Sequence, residues 1–426
     1  MEHLSIGRLS DEDQSKIDDA MAVLEEHDPY AREPMRHKAL IVHSDTPMNA
    51  EVPSHLLNAS YLTPTSLFYI RHHHPVPFLT EKQLAEYRLK IDLSAYQKDD
   101  GSGGRGVAEF TLEDLKQMPK VEITATLQCS GNRRSGFNTH QRTSGTPWGQ
   151  GAISTAKFGG VKLLDVLKRA GLDDPIAAQE KGGMNHVRFY ALDDMKASIN
   201  IEKAANPYGD VIVCYEMNGE PLTREHGFPL RVIVPGYAAV RNVKWVYKIE
   251  LAAEEAEGPW QRGLNYKTLP PAVTDASKVQ IEKMPSMSEV SLFSGITKIE
   301  TVDSGPVNPG DRVKIKTSGW AWAGGGRNIV RVDVTADDGA TWSTAELKEG
   351  SEQKFGRAWA WVFWECEIPE AVVREDGSVR LASKAVDLAF NVQPENASHT
   401  WNVRGLGNNS WYRAHTTLAR THLDKR

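Results

Sequence analysis

After about residue 285, apolar and polar residues alternate with a period of two, and no long helical pattern interrupts them. Successive side chains of a strand point to opposite faces, so such a segment pairs its backbone sideways and buries one face. RVKIKTSGWAW (312–322), RNIVRVDVT (327–335), RAWAWVFWECEI (357–368) and GSVRLASKAVD (377–387) all read this way. Asp338-Gly339 and Asp376-Gly377 supply the residues that tight turns require, which predicts hairpins at both places. A run of about 130–140 residues of this kind predicts an antiparallel β-sandwich of immunoglobulin-like size.

Upstream, over residues 38–265, the pattern is mixed. Short β-rich runs, SLFYI (66–70), VEITATLQC (121–129), DVIVCYEM (210–217) and LRVIV (230–234), alternate with helical segments. LLDVLKRAGL (163–172) reads as a helix that stops at Gly171. An α+β domain follows. Residues 268–289 hold Pro270, Pro271 and Pro285 with little periodicity, a linker pattern. Near the start, Ser10 with Asp11, Glu12 and Asp13 opens a helix that places Ile17, Met21 and Leu24 on one face. The predicted organisation is an N-terminal extension over 1–37, a mixed α/β domain over 38–285 and a β-sandwich over 286–426.

The formal net charge of −6 argues against a nucleic-acid surface, so any anion site has to be a local arginine cluster. No apolar stretch approaches the roughly 20 residues of a membrane span. The acidic start fits neither a secretory signal nor a transit peptide, and the terminal HLDKR is not the SKL address. These features predict a soluble intracellular protein, cytoplasmic first, with peroxisome and mitochondrion left open. Three dispersed cysteines, Cys129, Cys214 and Cys366, argue against a disulfide framework, a cysteine zinc site and c-type haem attachment.

Cys129 ends an apolar strand and opens Cys129-Ser130-Gly131-Asn132-Arg133-Arg134-Ser135. Adjacent guanidinium groups favour a thiolate, the form that acts as nucleophile and metal ligand. The competing reading is a core cysteine beside a surface basic turn. Cys214 and Cys366 sit in apolar or alternating strands and read as packing. In Arg71-His72-His73-His74-Pro75, neighbouring side chains of an extended segment diverge, so one ion does not readily gather all three rings. One or two of them facing a cofactor phosphate beside Arg71 competes with a solvated basic loop. His226, Arg231, Arg241 and Lys244 surround a strand and a Pro-Gly turn, which suits a phosphate-bearing ligand; a solvated face is the other reading. Gly101-Ser102-Gly103-Gly104-Arg105-Gly106 matches a dinucleotide fingerprint in letters only. Polar residues precede it and VAEF follows, so it reads as a flexible loop.

At these segments the chain resembles the sulfite oxidase family of molybdenum enzymes from about residue 38 to 420. The matching blocks include FYIRHHHPVP, LQCSGNRRS, WGQGAISTAKFGG, YEMNGEPLTREHGFPLRVIVPG, NVKW, SGWAWAGGGRNIVRVDVT, RAWAWVFWECEIP and WNVRG. The resemblance implies a mixed α/β molybdopterin-binding domain followed by an immunoglobulin-like dimerisation domain, with one Mo-molybdopterin per chain. It implies Cys129 as the thiolate ligand of molybdenum, a soft donor suited to a metal already held by dithiolene sulfurs. It implies Tyr69, Ile70, Arg71, His72, His73, Asp193, His226, Arg231, Asn242, Val243 and Lys244 around the cofactor. Arg71, Arg134, Trp148, Tyr266 and Arg404 are implied around the substrate, where converging arginines suit a compact dianion.

The implied activity is oxidation of sulfite to sulfate by oxygen-atom transfer, the cofactor carrying the redox step and the protein supplying orientation and positive potential. The alternative within the family is the molybdenum domain of nitrate reductases; Arg404, GAISTAKF and Tyr266 favour sulfite, because nitrate reductases usually carry methionine at the position of Arg404. Three histidines in place of an asparagine–histidine pair, and GLGNNSW after Arg404, depart from the sulfite branch. A binding module that senses oxyanions without metal is the rival outside the enzyme class. About 37 residues precede the matched region, too few for a cytochrome b5-like haem domain. Either the electrons pass to oxygen or an external acceptor such as a cytochrome, or the sequence is part of a longer chain; the other expected partners are sulfite and a second copy of the chain, with no nucleic acid and no membrane.

Overall fold

In the computed structural model of the protein, residues 27–96, 106–302 and 305–418 are described, with 10, 16–17, 20–21 and 23–25 before them. Ile17, Met21 and Leu24 lie on helical backbone as their spacing predicts, but Ile17 and Leu24 are exposed. Asp11, Glu12 and Asp13, residues 101–105 of the glycine-rich run and the terminal HLDKR lie outside the described residues.

Two five-stranded sheets frame the first part. In one, Lys120–Gln128 pairs antiparallel with Ile153–Lys162, which pairs with Ile212–Met217. The last two strands approach closely because Gly160 has no side chain: a Cβ there would lie 2.1 Å from the Val213 carbonyl oxygen. The other sheet runs in the spatial order Val107–Phe110, Leu89–Asp92, Val246–Ala252, His186–Ala191, Lys196–Asn200, and its Leu89–Asp92/Val246–Ala252 pair is parallel. A small sheet of Ile41–Asp45, Met48–Glu51 and Ile70–Arg71 completes this part. Helix Leu163–Ala170 buries Leu163, Leu164, Val166, Leu167 and Ala170 and stops at Gly171, whose φ of 110° suits glycine. SLFYI differs from its expected strand. Thr65–Leu67 is a 3-10 turn after Pro64, and only Ile70–Arg71 pairs.

The second part is a two-layer sandwich. One layer holds Leu292–Thr301, Arg312–Ala323, Val362–Val372 and Glu346–Leu347; the other holds Ser343–Thr344, Ile329–Thr335, Ser378–Asp387 and Tyr412–Thr417. Ile315, Val332, Val334, Trp364 and Ala385 are buried between them. Asp338-Gly339 makes the expected hairpin, with φ of 54° and 97°, between Ile329–Thr335 and Ser343–Thr344. The hairpin expected at Asp376-Gly377 does not form. Its flanking strands belong to different layers, so that turn carries the chain across the sandwich. Alternation specifies which face is buried but not which strand is the neighbour.

RAWAW also departs from a strand: pairing starts at Val362, and residues 357–361 pack irregularly on Lys120–Gln128. Thr126 N–H donates to Trp359 O at 3.0 Å, and Trp361 N–H donates to Thr126 Oγ1 at 2.8 Å. Trp320, Trp322, Trp359 and Trp361 join the core of the first part, so the sandwich shares one apolar interior with it. Residues 268–289 contain two 3-10 turns and an exposed middle. Their end is pinned: Met287 O accepts from Arg241, and Ser288 O accepts from the Ala238 N–H.

Candidate active site

Strand Lys120–Gln128 is buried at its last four residues and delivers Cys129 into the interior, 7% exposed. The Cys129 N–H continues the strand pairing to Ala152 O at 2.9 Å, and its carbonyl accepts from the Asn132 N–H at 2.9 Å, which closes the turn. Asn132 Oδ1 accepts from the Ala152 N–H at 3.1 Å, and Glu51 accepts the N–H groups of Gly149 and Gly151 at 3.0 Å each. The sulfur is therefore fixed by backbone rather than carried on a free loop.

Behind the sulfur lies a cavity lined by Tyr69 to His73, Asp193, Met195, Glu225, His226, Arg231, Asn242 to Trp245 and Tyr266. Its polar groups are locked from outside. Arg231 donates to the carbonyls of His226 (2.9 Å) and Asn242 (3.2 Å), while its Nε is buried without a partner. Lys244 Nζ meets His72 Nδ1 at 2.6 Å, and His72 Nε2 faces Glu225, which Arg36 also holds at 2.7 Å. Burial, and next the Arg231 guanidinium, push the Lys244 ammonium down to about 7. Burial and Arg231 likewise push His226 down to about 3. Arg71, Arg231 and Lys244 thus share one cradle with a histidine held neutral by burial.

In front of the sulfur a second cavity is lined by Arg71, His73, Cys129, Arg134, Trp148, Asn265, Tyr266 and Arg404. Arg404 is held at both ends of its fork, by Ser144 Oγ and Asn265 Oδ1 at 3.0 Å each, and its Nε is buried without a partner. Cys129, Arg71, His73 and Tyr266 line both cavities. A group attached to the thiol would have a phosphate-compatible cradle behind it and an arginine-walled mouth before it.

Residues 73–260 match the family described as oxidoreductase molybdopterin binding domain, and residues 285–419 match the Mo-co oxidoreductase dimerisation domain. The mitochondrial sulfite oxidase of Rattus norvegicus is 41% identical over 422 residues, 97% of this chain and 71% of that protein. The chain belongs to the sulfite oxidase family. The sulfite oxidase of Arabidopsis thaliana is 38% identical over 408 residues, covering 92% of this chain and 98% of that one. The nitrate reductase of Hordeum vulgare is more distant, 35% identical over 405 residues and matched over 43% of its length. The sulfane dehydrogenase SoxCD of Paracoccus pantotrophus shares the fold, with a TM-score of 0.66 at 24% identity over 96% of this chain and 91% of that one.

The family's molybdopterin fits the donor set. Among the described residues no group of three or more His, Cys, Asp or Glu side chains is arranged to hold a metal ion, and a metal carried on a dithiolene needs no such group beside the Cys129 sulfur. The unpartnered Arg231 Nε and the crowded Lys244 ammonium suit a phosphate.

The structure brings the residues expected for this sulfite oxidase family site to the two cavities and separates two arginines from them. Arg133 turns away from the thiol to Trp411 O at 3.1 Å and the Tyr412 ring at 5.0 Å, because its backbone is left-handed, φ 64°. Arg134 alone of the pair faces the mouth. Arg241 is not a cradle residue: it is fully buried and donates to the carbonyls of Met287 and Trp260 and to Gln261. The Asn242 side chain is likewise occupied, accepting from the Val234 N–H at 2.7 Å.

The three histidines take separate polar partners, His72 Lys244, His73 Trp260 and Tyr266, and His74 Nδ1 the Asp193 carbonyl at 2.5 Å, but His73 and His74 lie on a bend rather than an extended strand and both pack against Trp260. Burial pushes the thiols of Cys214 and Cys366 up to about 12 and about 11, in keeping with packing cysteines. Sequence reasoning missed Glu51, Glu225, Met195 and Trp260. Glu225, Met195 and Trp260 lie within a few residues of the expected His226, Asp193 and Tyr266; Glu51 reaches the site from a remote segment.

Proposed function

We propose that this chain oxidises sulfite to sulfate at a molybdenum–molybdopterin group joined to the Cys129 sulfur. One observation carries the reading: Cys129 lies where the cationic cradle and the arginine-lined mouth meet. When bound, the group supplies the two-electron redox capacity and the transferable oxygen. The chain supplies the rest. Cys129 anchors, while Tyr69, Ile70, Arg71, His72, His73, Asp193, His226, Arg231, Asn242, Val243 and Lys244 shape the cradle.

Arg71, Arg134 and Arg404 give the mouth its positive potential, which attracts a compact dianion and orients it by charge-assisted hydrogen bonds. Trp148, fully buried, walls the mouth and excludes water. Burial raises the Tyr266 hydroxyl, so it stays protonated and offers a hydrogen bond near the sulfur. Overall, sulfite and water become sulfate, two protons and two electrons. The electrons leave to oxygen or to a separate acceptor such as a cytochrome. Two chains associate through residues 285–419, a reading supported by the dimerisation-domain match. No described helix is long and apolar enough to cross a membrane.

A steady-state assay with sulfite against oxygen, ferricyanide and cytochrome c, with nitrate reduction as control, tests substrate and acceptor together. Elemental analysis should give about one molybdenum per chain, and Cys129→Ser should lose turnover while remaining folded. Full turnover by that variant, or sulfate binding with no metal and no oxidation, defeats the proposal. Sedimentation showing only a monomer defeats the dimer.

A further inference from the structure

Trp260 stands at the edge of the site with one polar atom, an indole N–H. That Nε1–H lies 2.9 Å from His73 Nδ1, and an Arg71 guanidinium nitrogen lies 3.1 Å from the same atom. Indole N–H and guanidinium groups can only donate. His73 Nδ1 therefore carries the lone pair, and the single ring proton sits on Nε2. That nitrogen is 3.4 Å from the Tyr266 hydroxyl oxygen, which accepts from it. A phenol oxygen engaged as an acceptor turns its own proton elsewhere, and Tyr266 lines both cavities beside Cys129.

We propose that Trp260 is a positioning residue for sulfite oxidation: by fixing His73 as its Nε2–H tautomer, it makes the Tyr266 hydroxyl a hydrogen-bond donor into the cavity. The inference deepens the reading of the site given above and rests on it. Two donors converging on one ring nitrogen also exclude an imidazolium, and burial with the Arg71 charge holds His73 well below the usual histidine range.

The frame around the three residues is rigid. Fully buried Arg241 donates to Trp260 O at 3.0 Å and lies 5.6 Å from the Tyr266 ring, so one guanidinium holds both ends of the chain. His74 packs edge-on against the Trp260 ring at 5.1 Å. The turn that carries Trp260, a histidine loop and a 3-10 turn thus agree on one proton position, the preorganisation that electrostatic catalysis requires.

The experiment uses the holoenzyme with nitrogen-15 histidine, the His73 signal being assigned by its loss in His73→Gln. In the wild type that signal should show the proton on Nε2, and a proton on Nδ1 overturns the proposal without any variant. In Trp260→Phe, which keeps a ring but removes one of the two donors, an Nδ1–H form should appear beside the Nε2–H form that the Arg71 donor still favours. The kcat for sulfite should fall about tenfold while KM moves less than about twofold, the pattern of an interaction made in the transition state. In a Tyr266→Phe background the Trp260→Phe effect should vanish, because the two act through one bond. An unchanged tautomer in Trp260→Phe, or additive losses in the double variant, overturns the inference while wild-type sulfite turnover leaves the proposed function standing. Wild-type protein that does not oxidise sulfite removes the proposed function itself, and the tautomer measurement still judges the hydrogen-bond chain.

Discussion

Arg134 Nε donates to the carbonyl oxygens of Arg404 and Gly405 at 3.1 and 3.2 Å, across 270 residues of sequence. Its Nη1 donates to Thr146 O at 2.7 Å. One guanidinium therefore ties the Cys129 turn, the loop before Trp148 and the Arg404 loop into a single wall of the mouth. Burial, with the neighbouring Arg404 and Arg71 charges, pulls this arginine below its ordinary range.

Gly405 is the sensitive point of that wall. Its φ is 60°, and a Cβ there would lie 2.6 Å from Arg134 Cγ. Gly405→Ala should displace Arg134, cost about 1–3 kcal/mol of stability and raise the KM for sulfite. Thermal denaturation with steady-state kinetics checks both, and an unchanged KM detaches the wall from substrate binding.

Arg404→Met keeps much of the side-chain volume and removes the charge. If Arg404 binds the dianion, the loss of a charged donor worth roughly 1.5–3 kcal/mol raises KM about tenfold to a hundredfold. Sulfite titration of the two enzymes is sufficient. Equal constants would remove Arg404 from the binding step.

Lys244 predicts a pH signature of the cofactor-free protein. Its folded value, about 7, lies below the roughly 10.4 of an unfolded lysine, so the unfolded chain holds more protons between those limits. Stability therefore rises with pH from about 7 to about 10, the penalty of the buried ammonium being fully present below that window. An anionic phosphate in the cradle should flatten this slope by favouring the ammonium. Denaturant unfolding across the window, with Lys244→Met as comparison, tests the sign: the variant should have a shallower slope, the remainder coming from Lys203, which burial pushes down to about 8.

Asp210 clamps the two parts of the molecule. Its carboxylate, 4% exposed, takes both arms of the Arg357 fork and the Trp359 indole N–H at 2.8 Å. Asp210→Ala strands that indole and leaves Lys203, already pushed down to about 8 by burial, with less compensation. A loss of about 3 kcal/mol is expected, visible as a lower denaturation midpoint. A midpoint within error of the parent would show that the interface draws its stability from the shared tryptophan core alone.

The sequence determined what local periodicity and chemistry can determine. Alternation announced the sandwich, Gly171 ended its helix, and an apolar strand running into Cys129 and a glycine turn singled out the candidate sulfur. The family blocks supplied the residues of the cradle and the mouth. Which strands share a layer at Asp376-Gly377 was decided only by the fold, because alternation is satisfied by either neighbour. The direction of an arginine was equally hidden. Arg133 and Arg134 are adjacent in the chain, yet a left-handed backbone at Arg133 sends one to Trp411 and the other to the mouth. Arg241 looked like a phosphate ligand by its neighbours and proved a strut, since hydrogen-bond partners are chosen in space. The role of Trp260 depends on which nitrogen of His73 it meets, and two donors converging on one atom is a property that no stretch of sequence contains.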